Sequence, residues 1–159
     1  MVDVTHYTYR KFEASIRDEH DPTMLVLKVY LFAENVFENL IALKLPRGDR
    51  LVDKGNLSFH QKLTLIDALD IIPDDVISSL RFLNKLRNQF AHDLDAKITH
   101  NELVKLGSPL GKIFTKYRIE SNGEDGKLLK GILHYLCGVV SGACFVYEKQ
   151  DSAELLGQA

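Results

Sequence analysis

The stretch "PTMLVLKVYLFAENVFENLIALKL", residues 22–45, limits the fold more than any other part of the chain. Leu25, Val29, Phe32, Val36, Leu40 and Leu43 recur at a helical period, and Leu27, Tyr30, Phe37 and Ile41 cover much of the other side. A helix that is apolar on two sides has to be surrounded, so it belongs at the centre of a bundle. Asp21 stands where a cap is needed, and Pro22 suits the first helical position.

The other segments read the same way. An amphipathic segment runs from Tyr7 to Glu19, and "PRGDRLVDKGN" after the central helix reads as a polar loop. Ser58 with Gln61 three residues on is a capping-box pattern, and Leu63, Ile66 and Leu69 continue its stripe. "IIPDD" breaks that helix and begins a fourth, while Thr99 and Glu102 supply a second box ahead of the interruption "GSP". After a loop at "ESNGEDG", a last helix spans about Lys127 to Lys149. Pro and Gly are too sparse for a turn-rich β sandwich, and no internal repeat is visible. The expectation is an all-α, up-and-down bundle of about five to six helices, one domain over residues 1–150 with a flexible tail at 151–159.

Charge and composition exclude several classes. A net charge of −2 does not suit a protein that coats nucleic acid or acidic membranes through bulk electrostatics, so any nucleic-acid contact has to be local. Cys137 and Cys144, seven apart on one helical stretch, are too distant for an intrahelical disulfide and read as reduced core residues. The opening residues carry no basic stretch followed by an apolar run, so a cytoplasmic chain is expected. "GILHYLCGVVSGACFVY", residues 131–147, is interrupted by His134 and is shorter than the about 20 residues of a membrane span. It reads as a core helix, with Gly131, Gly138, Ser141 and Gly142 on the side of His134 allowing close packing within the bundle. His60 reads as a surface residue, and His6, His20 and His100 lack acidic or Cys partners at metal spacing. No metal and no cofactor are expected, and no Gly-rich phosphate loop or nucleophile elbow is present.

One residue breaks the apolar pattern. At about 100° per residue, Val76, Leu80, Leu83, Phe90 and Ala91 all project within roughly 60° of Arg87. A permanent charge in an apolar stripe must meet a carboxylate, a partner chain or a wet cleft, because an unpaired buried guanidinium costs several kcal/mol. Glu34, an acid on an apolar face of the central helix with Glu38 one turn later, is the expected partner. On the opposite side Arg81, Lys85, Asn88 and His92 form one polar, basic stripe. Two readings fit that stripe: a solvated face, or a surface that holds phosphate oxygens, with His92 as the group able to exchange a proton near neutral pH.

"RNQFAH", Arg87 to His92, resembles the signature of the HEPN superfamily (higher eukaryote and prokaryote nucleotide-binding domains), in which an Arg and a His are separated by four to six residues and the Arg is often followed by Asn. The stretch from Leu57 to His92 is similar to the mannitol operon repressor group within those proteins, and "YLFAENVFENLIAL" looks like their earlier acidic helix. The resemblance implies a HEPN-like homodimer whose paired motifs meet in a cleft and cut RNA without a metal. His92 would move protons, Arg87 would hold phosphorane charge, Asn88 would orient a phosphate or the histidine, and Arg81 and Lys85 would contact RNA phosphates. Five helical residues separate Arg87 from His92 by about 7.5 Å and about 140°. One regular helix does not aim both at one phosphorus; either the helix ends by His92 or a second chain contributes.

Two functions follow. One is a toxin-like or defence-like endoribonuclease, restrained by a cognate antitoxin or similar partner. The other is a non-catalytic regulatory or interaction module like the mannitol operon repressor group, in which Arg87 and His92 hold the dimer cleft. Asp93, next to His92, supports an acid role for the imidazole or repels RNA phosphates.

Overall fold

The computed structural model describes residues 4–157, with side chains from residue 9 onward; the His6 side chain and residues 158–159 of the expected tail lie outside the described residues. Every regular element among them is helical: α1 (Val4–Arg17), α2 (Pro22–Lys44), α3 (Gly48–Lys54), α4 (Phe59–Ala68), α5 (Asp74–His92), α6 (His100–Gly107), α7 (Lys112–Ser121) and α8 (Asp125–Gly157). A 3-10 turn at Ser108–Leu110 joins α6 to α7 where "GSP" interrupts the helix. The chain is all-α, with eight α-helices among the described residues instead of five or six.

α2 is the central helix. Val26, Val29, Phe37, Leu40 and Ile41 are fully buried, and α1, α3, α4, α5 and α8 all pack against it. Its start is fixed locally: Asp21 Oδ1 accepts from the Met24 N–H at 3.0 Å, and Pro22 occupies the first turn. Both capping boxes form, Ser58 with Gln61 at the start of α4 and Thr99 with Glu102 at the start of α6. On α1, Phe12 stacks on Phe32 of α2 at 4.1 Å, which docks that helix.

Three expectations change. The polar loop after α2 contains α3, because Gly48 has no Cβ to strike the Ile41 carbonyl and Leu51 and Val52 pack on the core. The last helix starts at Asp125 and runs through Gly157, so residues 151–157 of the expected tail form an exposed helical extension. Close packing within the bundle explains Gly131, where a Cβ would lie 2.6 Å from the Tyr117 ring, but a Cβ on Gly138 or Gly142 would meet nothing within 4 Å. Those two glycines face outward. By length and composition α8 is long and apolar enough to cross a membrane, while its residues Leu128, Ile132, Leu136 and Val140 are buried in the core.

α5 carries the candidate motif out of this core. Asp74 and Asp75 in its first turn complement the helix dipole, and Val76, Leu80, Leu83 and Leu86 are fully buried. The last turn, with Phe90 half-buried and Ala91 exposed, overhangs the start of α2. At Asp93 the backbone becomes extended, and its N–H donates to the Gln89 carbonyl at 2.9 Å.

Candidate functional site

Arg87 lies one residue beyond Leu86, the last fully buried anchor of α5, so the helix delivers it to the rim of the core. Its guanidinium carbon sits 5.0 Å from the centre of the Tyr30 ring, within cation–π range, and its one hydrogen bond is a long 3.4 Å contact to Asn88 Oδ1. Among the described residues no carboxylate lies within salt-bridge distance of Arg87. The expected pair with Glu34 does not form.

Lys62 takes Glu34 instead. Its Nζ lies 2.9 Å from Glu34 Oε1 and 2.7 Å from Glu38 Oε1, with the lysine side chain almost fully enclosed. Burial pulls the ammonium pKa down, but hydrogen bonds to Glu38 and then Glu34 outweigh it, so the group titrates above the ordinary lysine value. Sequence reasoning missed this residue although the same signal that marked Arg87 was available. Lys62 falls on the buried face of α4 with Phe59, Leu63 and Ile66, a charge at an apolar position.

The motif residues divide between two depressions at the end of α5. Arg87, Phe90, Ala91 and Leu94 face Thr23 and Leu27 of α2 across one. Lys85, Asn88, Gln89 and His92 line the other. Asp93 and Ala96 border both, as the chain turns over the helix end with the Asp95 N–H donating to Asp93 Oδ1 at 3.0 Å. One chain therefore holds Arg87 and His92 on different sides of a helix that stops at His92.

The basic stripe is only partly available. Arg81 Nη2 is 2.8 Å from Asp67 Oδ2, a pair that ties α5 to α4. Lys85, Asn88 and His92 are exposed. Beside Arg87 the depression is largely apolar: Leu94 is 100% exposed there and shares it with Leu27, Phe90 and Ala91.

Elsewhere, Cys137 and Cys144 are buried and not joined in a disulfide, and burial pushes the Cys137 thiol well up, as expected for an unreactive core residue. His100 Nδ1 meets Asp125 Oδ1 at 2.8 Å, joining the starts of α6 and α8; the acid partner lies 25 residues away in sequence. Among the described residues no three His, Cys, Asp or Glu side chains converge as a metal ion requires. The arrangement offers a cation held over an aromatic ring, an exposed imidazole and an apolar surface beside the cation. Comparison with protein-family models, curated proteins and solved structures finds no match to this chain.

Proposed function

We propose that the protein is a metal-independent endoribonuclease of HEPN type that acts as a homodimer. The observation that carries this reading is Arg87, a guanidinium at the core rim that no carboxylate among the described residues neutralises. Apart from the long contact to Asn88, its donor fork is open to phosphate oxygens. The exposed Leu94, with Leu27 and Phe90 in the same depression beside it, gives a second copy an apolar surface to cover. Docking two copies there about a two-fold axis would bring the two α5 ends together, supplying the convergence of Arg87 and His92 that one chain lacks.

In the reaction, His92 of one copy removes the proton of a ribose 2′-OH, whose oxygen attacks the adjacent phosphorus. The bond from phosphorus to the 5′ oxygen breaks, and the protonated His92 of the second copy delivers a proton to that oxygen. Arg87 holds the negative charge of the five-coordinate phosphorus, and Asn88 and Lys85 steady the strand. The products are a 2′,3′-cyclic phosphate and a 5′-OH. The test is the chemistry of the ends: RNA is incubated with the protein in EDTA and its new termini are identified. Cyclic phosphates support the reading; 3′-OH ends, or no cleavage, reject it.

A second reading is favoured by the Arg81–Asp67 pair, which withdraws one expected phosphate contact. In it the protein is a regulatory module of the mannitol operon repressor kind, and Arg87 serves the dimer alone. Intact RNA together with a dimer that dissociates in Arg87→Ala would select it.

A further inference from the structure

We propose that Tyr30 is a positioning residue for Arg87, the inner plate of a three-layer stack that holds the guanidinium open to the cleft. The Tyr30 ring is stacked on Phe59 at 4.3 Å with an interplanar angle of 17°. The Arg87 guanidinium lies over the Tyr30 ring at 5.0 Å. Phe59 is the first residue of α4, directly after the Ser58 cap, so the capping box sets where the outer plate lies. Phe37 adds an edge to the same ring of Phe59 at 5.4 Å. Tyr30 is 8% exposed and Phe59 2%, so neither plate turns freely.

The stack solves a problem that an ion pair would create. A carboxylate at Glu34 would fix Arg87 but occupy the donors that a phosphate needs. An aromatic face attracts the cation through its quadrupole and itself occupies no N–H, so that only the long contact to Asn88 uses a donor of Arg87. The two carboxylates closest in sequence to Tyr30 on α2, Glu34 and Glu38, are held by Lys62. Lys62 thus keeps the acids away from Arg87 while Tyr30 keeps its face toward it. Burial, and then the charge of Glu34, raise the Tyr30 phenol above its ordinary value, so the ring stays neutral wherever the site would work.

The inference rests on the endoribonuclease reading for what Arg87 touches, but the positioning is readable without RNA. The experiment compares wild type, Tyr30→Phe, Tyr30→Leu and Arg87→Lys, each checked for a cooperative thermal transition. The Arg87 Hε resonance, assigned by its loss in Arg87→Lys, is expected upfield of the exposed arginines in wild type and Tyr30→Phe. It is expected to return to their position in Tyr30→Leu. In the same variants kcat for RNA cleavage is expected to fall by about ten- to a hundredfold in Tyr30→Leu and to be preserved in Tyr30→Phe, with KM little changed. A wild-type Hε among the exposed arginines, an Hε that does not move in folded Tyr30→Leu, or an undiminished kcat there would overturn the proposal. If wild type cuts no RNA while Hε follows the ring, the endoribonuclease reading fails and the positioning of Arg87 stands.

Discussion

The Arg87 guanidinium carbon lies 5.0 Å above the Tyr30 ring, on the apolar rim between α2 and α5. That contact stabilises the cation by about 0.5–2 kcal/mol, far less than the several kcal/mol a fully buried charge would require. Arg87 therefore stays half-buried at the edge of the depression, and the consequences can be measured.

Lys62 sets the first. Replacing it by Met keeps the packing of the stem but leaves Glu34 and Glu38 facing each other without a cation. We expect a loss of about 2 kcal/mol at pH 7, the buried-pair cost discounted for the partial exposure of the two acids. Because the Lys62 pKa is raised in the folded state, its contribution is complete below the ordinary lysine value of 10.5 and is lost as pH rises through the folded value. Denaturant titrations should show a gap between wild type and Lys62→Met that is flat from pH 7 to about 10 and closes above it. A gap that closes near pH 7 contradicts the assignment.

Leu94 tests the interface. Since its side chain is fully exposed in the single chain, Leu94→Glu should change the stability of the chain by less than about 0.5 kcal/mol. If the proposed homodimer forms through this surface, sedimentation should show wild type as a dimer and Leu94→Glu as a monomer, with RNA cleavage lost in the variant. An unaffected dimer would move the interface elsewhere.

Arg81 and Lys85 separate two members of one stripe. Arg81 is committed to Asp67, whereas Lys85 is exposed beside His92. Lys85→Ala is expected to weaken RNA binding and lower the salt slope by about one, while Arg81→Ala leaves the slope near that of wild type. Equal effects would mean that the Arg81–Asp67 pair opens on binding.

Ser79 offers a test of the core alone. Its hydroxyl oxygen is buried in α5 without a hydrogen-bond partner among the described residues. Ser79→Ala should raise stability by about 1 kcal/mol, because an unsatisfied polar atom is removed with almost no change in volume. A destabilised variant would reveal a bound water or another partner for that oxygen.

What was legible in the sequence was local. The caps at Asp21, Ser58 and Thr99 depend on side chains reaching three residues along the chain, and all three form. The two-sided α2 was legible because its apolar periodicity is long. α3 was not, since its seven residues are helical only by leaning on α2 through Gly48, Leu51 and Val52. The oddity of Arg87 was visible as a charge in an apolar stripe, and the division of Arg87 and His92 between two sides of the helix followed from its pitch. Which cation met Glu34 depended on an approach between α2 and α4 across 28 residues of chain, which periodicity does not encode. Gly138 and Gly142 looked like packing residues because spacing records that they share a face, not whether anything lies against it.

The most direct measurement is the single-turnover rate of RNA cleavage in EDTA by wild type, Arg87→Ala and His92→Ala, with each variant first verified as folded and dimeric. Both substitutions should slow cleavage by about a hundredfold or more, as expected for the loss of a charge-stabilising group and of a proton-transfer group. Cleavage that persists at the wild-type rate in either folded variant would contradict the assignment of the site to the end of α5.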